Sequence, residues 1–217
     1  SGRVIDWIRH AVQQAAGGEV VVVAGYGLDE VAEAYPDVTL VANSRWEQTG
    51  AAASLLCAPL AAADTVIACY GDVVFRPALL TALLDAPGDV AVAVDPEPGA
   101  RYAARPADLA SAEKVRHRDG RLADAGTHIP AAEMTGEFTG LVRLSRNAVR
   151  HLLSRRAEAD RWSLPAALRD FLAAGFEIAV VETREWAEID APGDLARFVL
   201  GSKAQTLARL RGVVRRS

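Results

Sequence analysis

Residues 65–72 read Thr65-Val66-Ile67-Ala68-Cys69-Tyr70-Gly71-Asp72. This is a short apolar run that stops at a glycine followed by an acid. Runs of this length, bounded by turn residues, suit a strand buried on both faces. The same reading extends outward. Upstream, Glu19 to Ala24 contains Val20-Val21-Val22-Val23, and Val38 to Ala42 is a further apolar run. Downstream, Asp89 to Val94 repeats the pattern. Helical spacing fills the intervals. Val4, Ile8, Ala11, Val12 and Ala15 share one face of residues 3–16, which Gly17-Gly18 ends. Residues 28–35 form a second helix closed by Pro36, residues 50–62 a third rich in Ala and Leu, and residues 77–85 a fourth. Strands alternating with helices predict an α/β fold: a mostly parallel central sheet with helices on both faces.

The rhythm stops between about 96 and 135, where Pro, Gly and charged residues dominate. Here Arg118-Asp119-Gly120-Arg121 predicts the turn of a small antiparallel insertion. Phe138 to Leu144 and Glu177 to Val181 are further strands. Ser145 caps a helix to about 157, and Ser163 caps another through Ala174, which Gly175 stops. A last helix is expected from Asp194.

Composition excludes several classes. Across 217 residues, 24 Lys and Arg face 28 Asp and Glu, for a net charge of −4. With no basic block, a nucleic-acid grip is not expected. No apolar run reaches the ~20 residues a membrane helix needs. The two cysteines, Cys57 and Cys69, make no metal or disulfide pattern, and no secretory leader is recognised, so the expected location is cytoplasmic.

Ligands of open parallel sheets bind beyond the carboxyl ends of the strands. Asp72 stands there, behind Gly71, whose missing side chain lets a ligand approach the backbone. Asp190 follows the last strand, inside Trp186-Ala187-Glu188-Ile189-Asp190. Two carboxylates at one sheet edge suit Mg²⁺, which takes one or two protein carboxylates and fills its other positions with phosphate oxygens and water. The alternative is that Asp72 caps a helix and Asp190 is a solvated loop acid. Gly25-Tyr26-Gly27 after a Val-rich strand is no dinucleotide fingerprint, because Glu30 occupies the third glycine position. His10, His117, His128 and His151 show no ligand spacing. Trp46, Tyr102 and Trp186 lie in loop regions near the candidate site, where packing and a cation–π box for an ammonium are competing roles.

Taken in order, these segments resemble the GT-A-like nucleotidyltransferases, in the branch of phosphocholine and phosphonoalkyl cytidylyltransferases. The resemblance runs from about residue 3 to residue 200. It is carried by Gly2-Arg3-Val4-Ile5, by Val20 to Gly27, by Asn43 and Thr49 with Ser54-Leu55, and by Tyr70-Gly71-Asp72-Val73-Val74-Phe75. Glu113-Lys114-Val115, Gly136-Glu137-Phe138-Thr139-Gly140-Leu141 and Trp186 to Asp190 complete it. The resemblance implies CMP transfer from CTP to a phosphonate or phosphocholine-like acceptor, releasing pyrophosphate. It implies Asp72 and Asp190 as catalytic ligands of Mg²⁺, and Lys114 as a catalytic, phosphate- and acceptor-contacting residue. It further implies Asn43, Thr49, Ser54, Leu55 and Gly71 at the nucleotide, and Glu137 and Trp186 at the acceptor. An acceptor oxygen already ionised near neutrality needs no general base, so catalysis rests on in-line positioning and charge neutralisation.

The resemblance begins after the family's N-terminal strand and its glycine-rich, basic loop, which cradles the triphosphate. No other stretch replaces that loop, so residues 1–200 are expected to be an N-terminally truncated domain, or else a degenerate relative, that binds CTP weakly. Gly50 stands where the phosphonate branch tends to carry Asn. Residues 201–217 form a basic helical tail, whose Gly201-Ser202-Lys203-Ala204-Gln205-Thr206-Leu207 resembles a connector to a phosphoenolpyruvate mutase domain. Glu137 and the low aromatic content, 6%, favour a phosphonate acceptor. A sugar-phosphate nucleotidyltransferase and a non-catalytic nucleotide-binding domain remain as alternatives.

Overall fold

The computed structural model describes residues 3–15, 17–102, 109–189 and 198–199. Helix α1 (Val4–Ala15) turns out at Gly17, whose φ of 62° suits a residue without Cβ. Strands β1 (Val21–Ala24) and β2 (Thr39–Ala42) pair in parallel, Val21 opposite Thr39, across α2 (Leu28–Ala34). After α3 (Ala51–Cys57) come β3 (Thr65–Cys69), β4 (Val73–Phe75), α4 (Pro77–Asp85), β5 (Val90–Asp95) and the single turn α5 (Gly99–Tyr102). Strands β6 (Lys114–Arg118) and β7 (Arg121–Gly126) form the expected hairpin. Its turn residues Asp119 and Gly120 both have positive φ, 52° and 72°, which matches the strands' right-handed twist. The chain continues through β8 (Gly136–Ser145), α6 (Arg146–Ser154), α7 (Leu164–Ala173), β9 (Ile178–Glu182) and β10 (Trp186–Glu188).

Six strands form the main sheet in the order β3-β8-β5-β9-β7-β6. Strands β3, β5 and β9 run one way, and β8 lies antiparallel between β3 and β5. Strand β8 thus runs in the same direction as β7, both opposed to the parallel β5–β9 pair. The first residues of β8 also pair with β6, so the hairpin is tied to the same end of the sheet.

Alternation along the strands builds two cores. Val90, Val92 and Val94 of β5, with Phe138, Val142 and Leu144 of β8, face α3, α6 and α7. Ala91, Ala93 and Leu141 point the other way, onto Ala11 of α1 and Leu79, Leu80 and Leu83 of α4. Helices therefore cover both faces of an α/β sheet, and the small antiparallel insertion forms its β7-β6 edge. Serine caps open two of them. Ser145 Oγ accepts from the Asn147 and Ala148 amides, and Ser163 Oγ from the Ala166 amide. Among the described residues no helix is long and apolar enough to cross a membrane. Of the helix expected from Asp194, Phe198 and Val199 are described and helical; its other residues and the tail at 201–217 lie outside the described residues.

Candidate active site

The carboxyl ends of β3 and β5 and the start of β8 meet at one edge. Strand β3 runs into Tyr70-Gly71-Asp72 and then β4, which pairs antiparallel with β10, Val73 opposite Glu188. The Ile189 amide donates to the Asp72 carbonyl at 2.8 Å. Asp190 itself lies outside the described residues. The Asp72 side chain is exposed, and its carboxylate has no hydrogen-bond or ion-pair partner among the described residues. A Cβ at Gly71 would meet nothing within 4 Å, so the space beside Asp72 is open. A free, hard oxygen donor facing open space fits a divalent cation that takes few protein ligands. Among the described residues no group of three or more His, Cys, Asp or Glu is placed to hold a metal.

One row of cross-strand neighbours runs along this edge: Gly126 opposite Lys114, Lys114 opposite Glu137, and Glu137 opposite Asp95. Its three charged members are buried. Lys114 Nζ donates to the carbonyls of Leu109, Ala110 and Ala112 at 3.0–3.1 Å, which fastens the chain entering β6. Glu137 accepts from the Tyr102 hydroxyl at 2.5 Å. Asp95 accepts from Trp186 Nε1 at 3.1 Å and from the Glu97 amide at 2.9 Å. The Trp186 ring is itself buried in the smaller core. Trp46 instead lies edge-on to Tyr26, 5.8 Å between centroids, beyond β1. Of the three aromatics expected in loops, Tyr102 ends α5 and Trp186 opens β10, and each of the three has a different partner.

The predicted nucleotide residues come together in part. Asn43 Nδ2 donates to Thr49 Oγ1 at 2.9 Å and to Ser54 Oγ at 3.0 Å, and Asn43 Oδ1 accepts from the Arg45 amide. The buried Asn43 amide therefore braces the loop after β2. Leu55 packs against the larger core, away from this polar cluster. Gly50 has a backbone reason: its Cβ would stand 2.2 Å from the Trp162 carbonyl oxygen, where no side chain fits.

Sequence reasoning assigned no role to Asp95, nor to Tyr70 and Glu113 individually. Asp95 ends an alternating strand at the ligand-binding edge, a usable signal. Glu113 accepts the Tyr70 hydroxyl at 2.9 and 3.1 Å. Burial pushes the Glu113 carboxyl up, opposed by that hydrogen bond and assisted by the nearby Glu137 charge. Burial, then the Glu113 charge, likewise raises the Tyr70 phenol. The Cys69 thiol is pushed up to about 12, chiefly by burial, so it is a protonated core side chain and no nucleophile.

Known proteins share this architecture. The inositol-1-phosphate CTP transferase from T. maritima superposes with a TM-score of 0.71 at 22% identity, over 92% of this chain and 82% of that one. A putative glucose-1-phosphate thymidylyltransferase from Bacillus anthracis gives 0.70 at 11% identity, over 90% and 80%. At such identities the likeness establishes the fold. No curated protein matches the sequence. Residues 2–160 do match the MobA-like NTP transferase domain, so the chain belongs to that family and is a nucleotidyltransferase.

Proposed function

We propose that the chain transfers CMP from CTP to a small acceptor bearing a phosphate or phosphonate, phosphonate being the class its sequence favours, and releases pyrophosphate. The observation that carries the reading is the 2.8 Å bond from the Ile189 amide to the Asp72 carbonyl, beside a carboxylate with no described partner. It ties the residue before Asp190 to Asp72 itself. Asp72 and Asp190 would hold Mg²⁺, which when bound neutralises charge on the triphosphate. Asn43, Thr49 and Ser54 line the loop where the base would lie, with the Ser54 hydroxyl as donor. Glu137, its orientation held by Tyr102, and Trp186, held by Asp95, shape the acceptor side. Lys114 supports the same row from beneath through its three carbonyl bonds. The residues orient an acceptor whose oxygen is already ionised, so positioning and electrostatics do the chemistry. On the phosphonate reading, a fused or associated phosphoenolpyruvate mutase domain is the expected partner.

The test is pyrophosphate release from each nucleoside triphosphate with Mg²⁺ and a panel of phosphonates, phosphocholine and sugar phosphates. CTP is expected to be preferred. Asp72→Asn and Asp190→Asn are each expected to lower kcat about 100-fold or more, roughly 3 kcal/mol of barrier, with unchanged melting. Normal turnover in both variants would end the metal assignment.

A further inference from the structure

The loop that carries Asn43, Thr49 and Ser54 is seated by a distant part of the chain. Arg45 Nη2 donates to Asp160 Oδ2 at 2.7 Å, across 115 residues of sequence. The Gly50 amide donates to the Asp160 carbonyl at 2.9 Å, and the Ala52 amide to the Trp162 carbonyl at 3.0 Å. Helix α3 has no side-chain cap at Gly50, so these two carbonyls satisfy amides that a helix leaves open at its start. The fit is close, because the Cβ that Gly50 lacks would stand 2.2 Å from the Trp162 carbonyl oxygen. Residues 158–163 can serve as an anchor because they are themselves fixed. Ala159 is fully buried, Trp162 packs on the larger core, and Ser163 caps α7.

The tie reaches the candidate nucleotide residues through Arg45. Its amide donates to Asn43 Oδ1 at 3.0 Å, and its carbonyl accepts from Thr49 Oγ1 at 3.0 Å. Asn43 in turn donates to Thr49 Oγ1 and Ser54 Oγ. A shift of Arg45 is therefore passed to all three. The same anchor faces the rest of the site. Ser163 shares the wall of a cavity of about 470 Å³ with Glu113, Gly126, His128 and Arg169. Gly126 lets the last two close in, since a Cβ there would stand 2.6 Å from Arg169 Nη1 and 2.7 Å from His128 Nδ1. The Leu164 amide hydrogen-bonds the Tyr70 hydroxyl, and Tyr70 leads into Asp72. One short segment thus touches both the nucleotide loop and the opposite side of the site. We propose that Asp160 is a positioning residue for the nucleotide. Its carboxylate on Arg45 and its carbonyl on the Gly50 amide fix where residues 43–54 stand against the Asp72 edge, and so set affinity and selectivity for the base. The inference rests on the nucleotidyltransferase reading above and adds to it a residue that acts through others.

Asp160→Ala removes the carboxylate and keeps the backbone. An exposed ion pair adds little to global stability, so this variant is expected to melt with wild type. Calorimetric titration with CTP, and with UTP for comparison, in the presence of Mg²⁺ is expected to show CTP binding about 5-fold weaker in the variant, with the preference for CTP over UTP reduced. Hydrogen exchange of residues 43–54 should quicken while α6 and α7 stay protected. Arg45→Asp, which sets two acids against each other, should weaken CTP binding about 10-fold, and adding Asp160→Arg should restore most of that loss. Rescue by the swapped pair is a result that a general loss of structure does not give. The proposal is overturned if Asp160→Ala keeps wild-type affinity and selectivity, or if the swapped pair rescues nothing. It is also overturned if Asp160→Ala binds CTP more tightly, since Asp160 would then compete with the triphosphate for Arg45. Pyrophosphate release that persists unaltered in these variants refutes the positioning role alone. Asp160-dependent CTP binding without release to any acceptor refutes the transferase reading and leaves the positioning role standing. A wild-type chain that binds no nucleoside triphosphate overturns both.

Discussion

Replacing Arg143 by Met should unlock the turn that joins α4 to β5. The Arg143 guanidinium is buried, 5% exposed, and among the described residues is held by carbonyls alone: Leu83 at 3.2 Å, Ala86 and Gly88 at 2.7 Å, and Pro87 at 3.3 Å. Burial pulls its pKa below the usual guanidinium range, and the Asp89 charge opposes that. Two effects compete on substitution. Hydrogen bonds from a charged donor are worth about 1.5–3 kcal/mol each, and a buried carbonyl left unpaired costs about 1–3 kcal/mol. Against this, removing a buried ion recovers several kcal/mol of lost hydration, as a rough figure. The two short bonds and the Leu83 bond outweigh the recovered hydration, and we set the net loss at about 3 kcal/mol. For a chain of this size that lowers Tm by about 6–12 °C. Arg143→Lys should rescue less than half, because one ammonium cannot span carbonyls on both sides of the turn. Scanning calorimetry of wild type and both variants measures the effect, with CTP affinity as the control. A Met variant melting within about 2 °C of wild type would refute the reasoning, since it would mean that the four carbonyls lose nothing with the guanidinium.

Two further outcomes follow from the geometry. Gly50→Ala places a Cβ against the Trp162 carbonyl oxygen and should cost about 1–3 kcal/mol of overpacking, read as a lower urea midpoint at constant m-value; an unchanged midpoint would show that the 2.2 Å approach relaxes freely. Glu113 binds its proton more tightly folded than unfolded, so its contribution is complete below its ordinary pKa of 4.5 and is lost as pH rises through the raised value. Glu113→Gln should therefore flatten the fall of Tm as pH rises above that ordinary pKa, and parallel wild-type and variant profiles would contradict the assignment.

Much of the frame was legible because it obeys single-residue rules. Thr65 to Cys69 is a strand with the expected ends, since an apolar run closed by Tyr-Gly-Asp has few other fates. Ser145 and Ser163 open helices for the reason any serine does, and Asp119-Gly120 turns a hairpin through positive φ. The site was less legible because its parts are short or non-local. Strands β4 and β10, three residues each, have too little length to show alternation, and only their pairing defines them. Sequence grouped Asn43, Thr49 and Ser54 correctly in space, but not the consumption of the Asn43 amide by the other two hydroxyls. The resemblance sets Lys114 at a phosphate and the acceptor, yet a preceding loop supplies three carbonyls for its ammonium. His128 and Arg169 show no pattern at all, because they meet only where Gly126 lacks a side chain.

The antiparallel strand is what gives this edge its chemical variety. Parallel strands present only their carboxyl ends at a ligand edge, here Tyr70 to Asp72 after β3 and Asp95 at the end of β5. Because β8 runs the other way, it brings its first residues, Gly136 and Glu137, to the same edge. The hairpin, paired to those residues, then adds Lys114 and Gly126. Gly136 is part of the device. A Cβ there would stand 2.6 Å from both the Asp95 carbonyl oxygen and Val94 Cγ1, so only a bare Cα lets β8 start flush against the end of β5. The row of Asp95, Glu137, Lys114 and Gly126 thus depends on a strand direction and on two glycines. A substitution that enlarges Gly136 should disturb acceptor-side contacts before it disturbs the Asp72 edge, because Asp72 is held by the β4–β10 pair and the Ile189 amide, and the chain before it meets β8 at Gly140 and Leu141, away from Gly136.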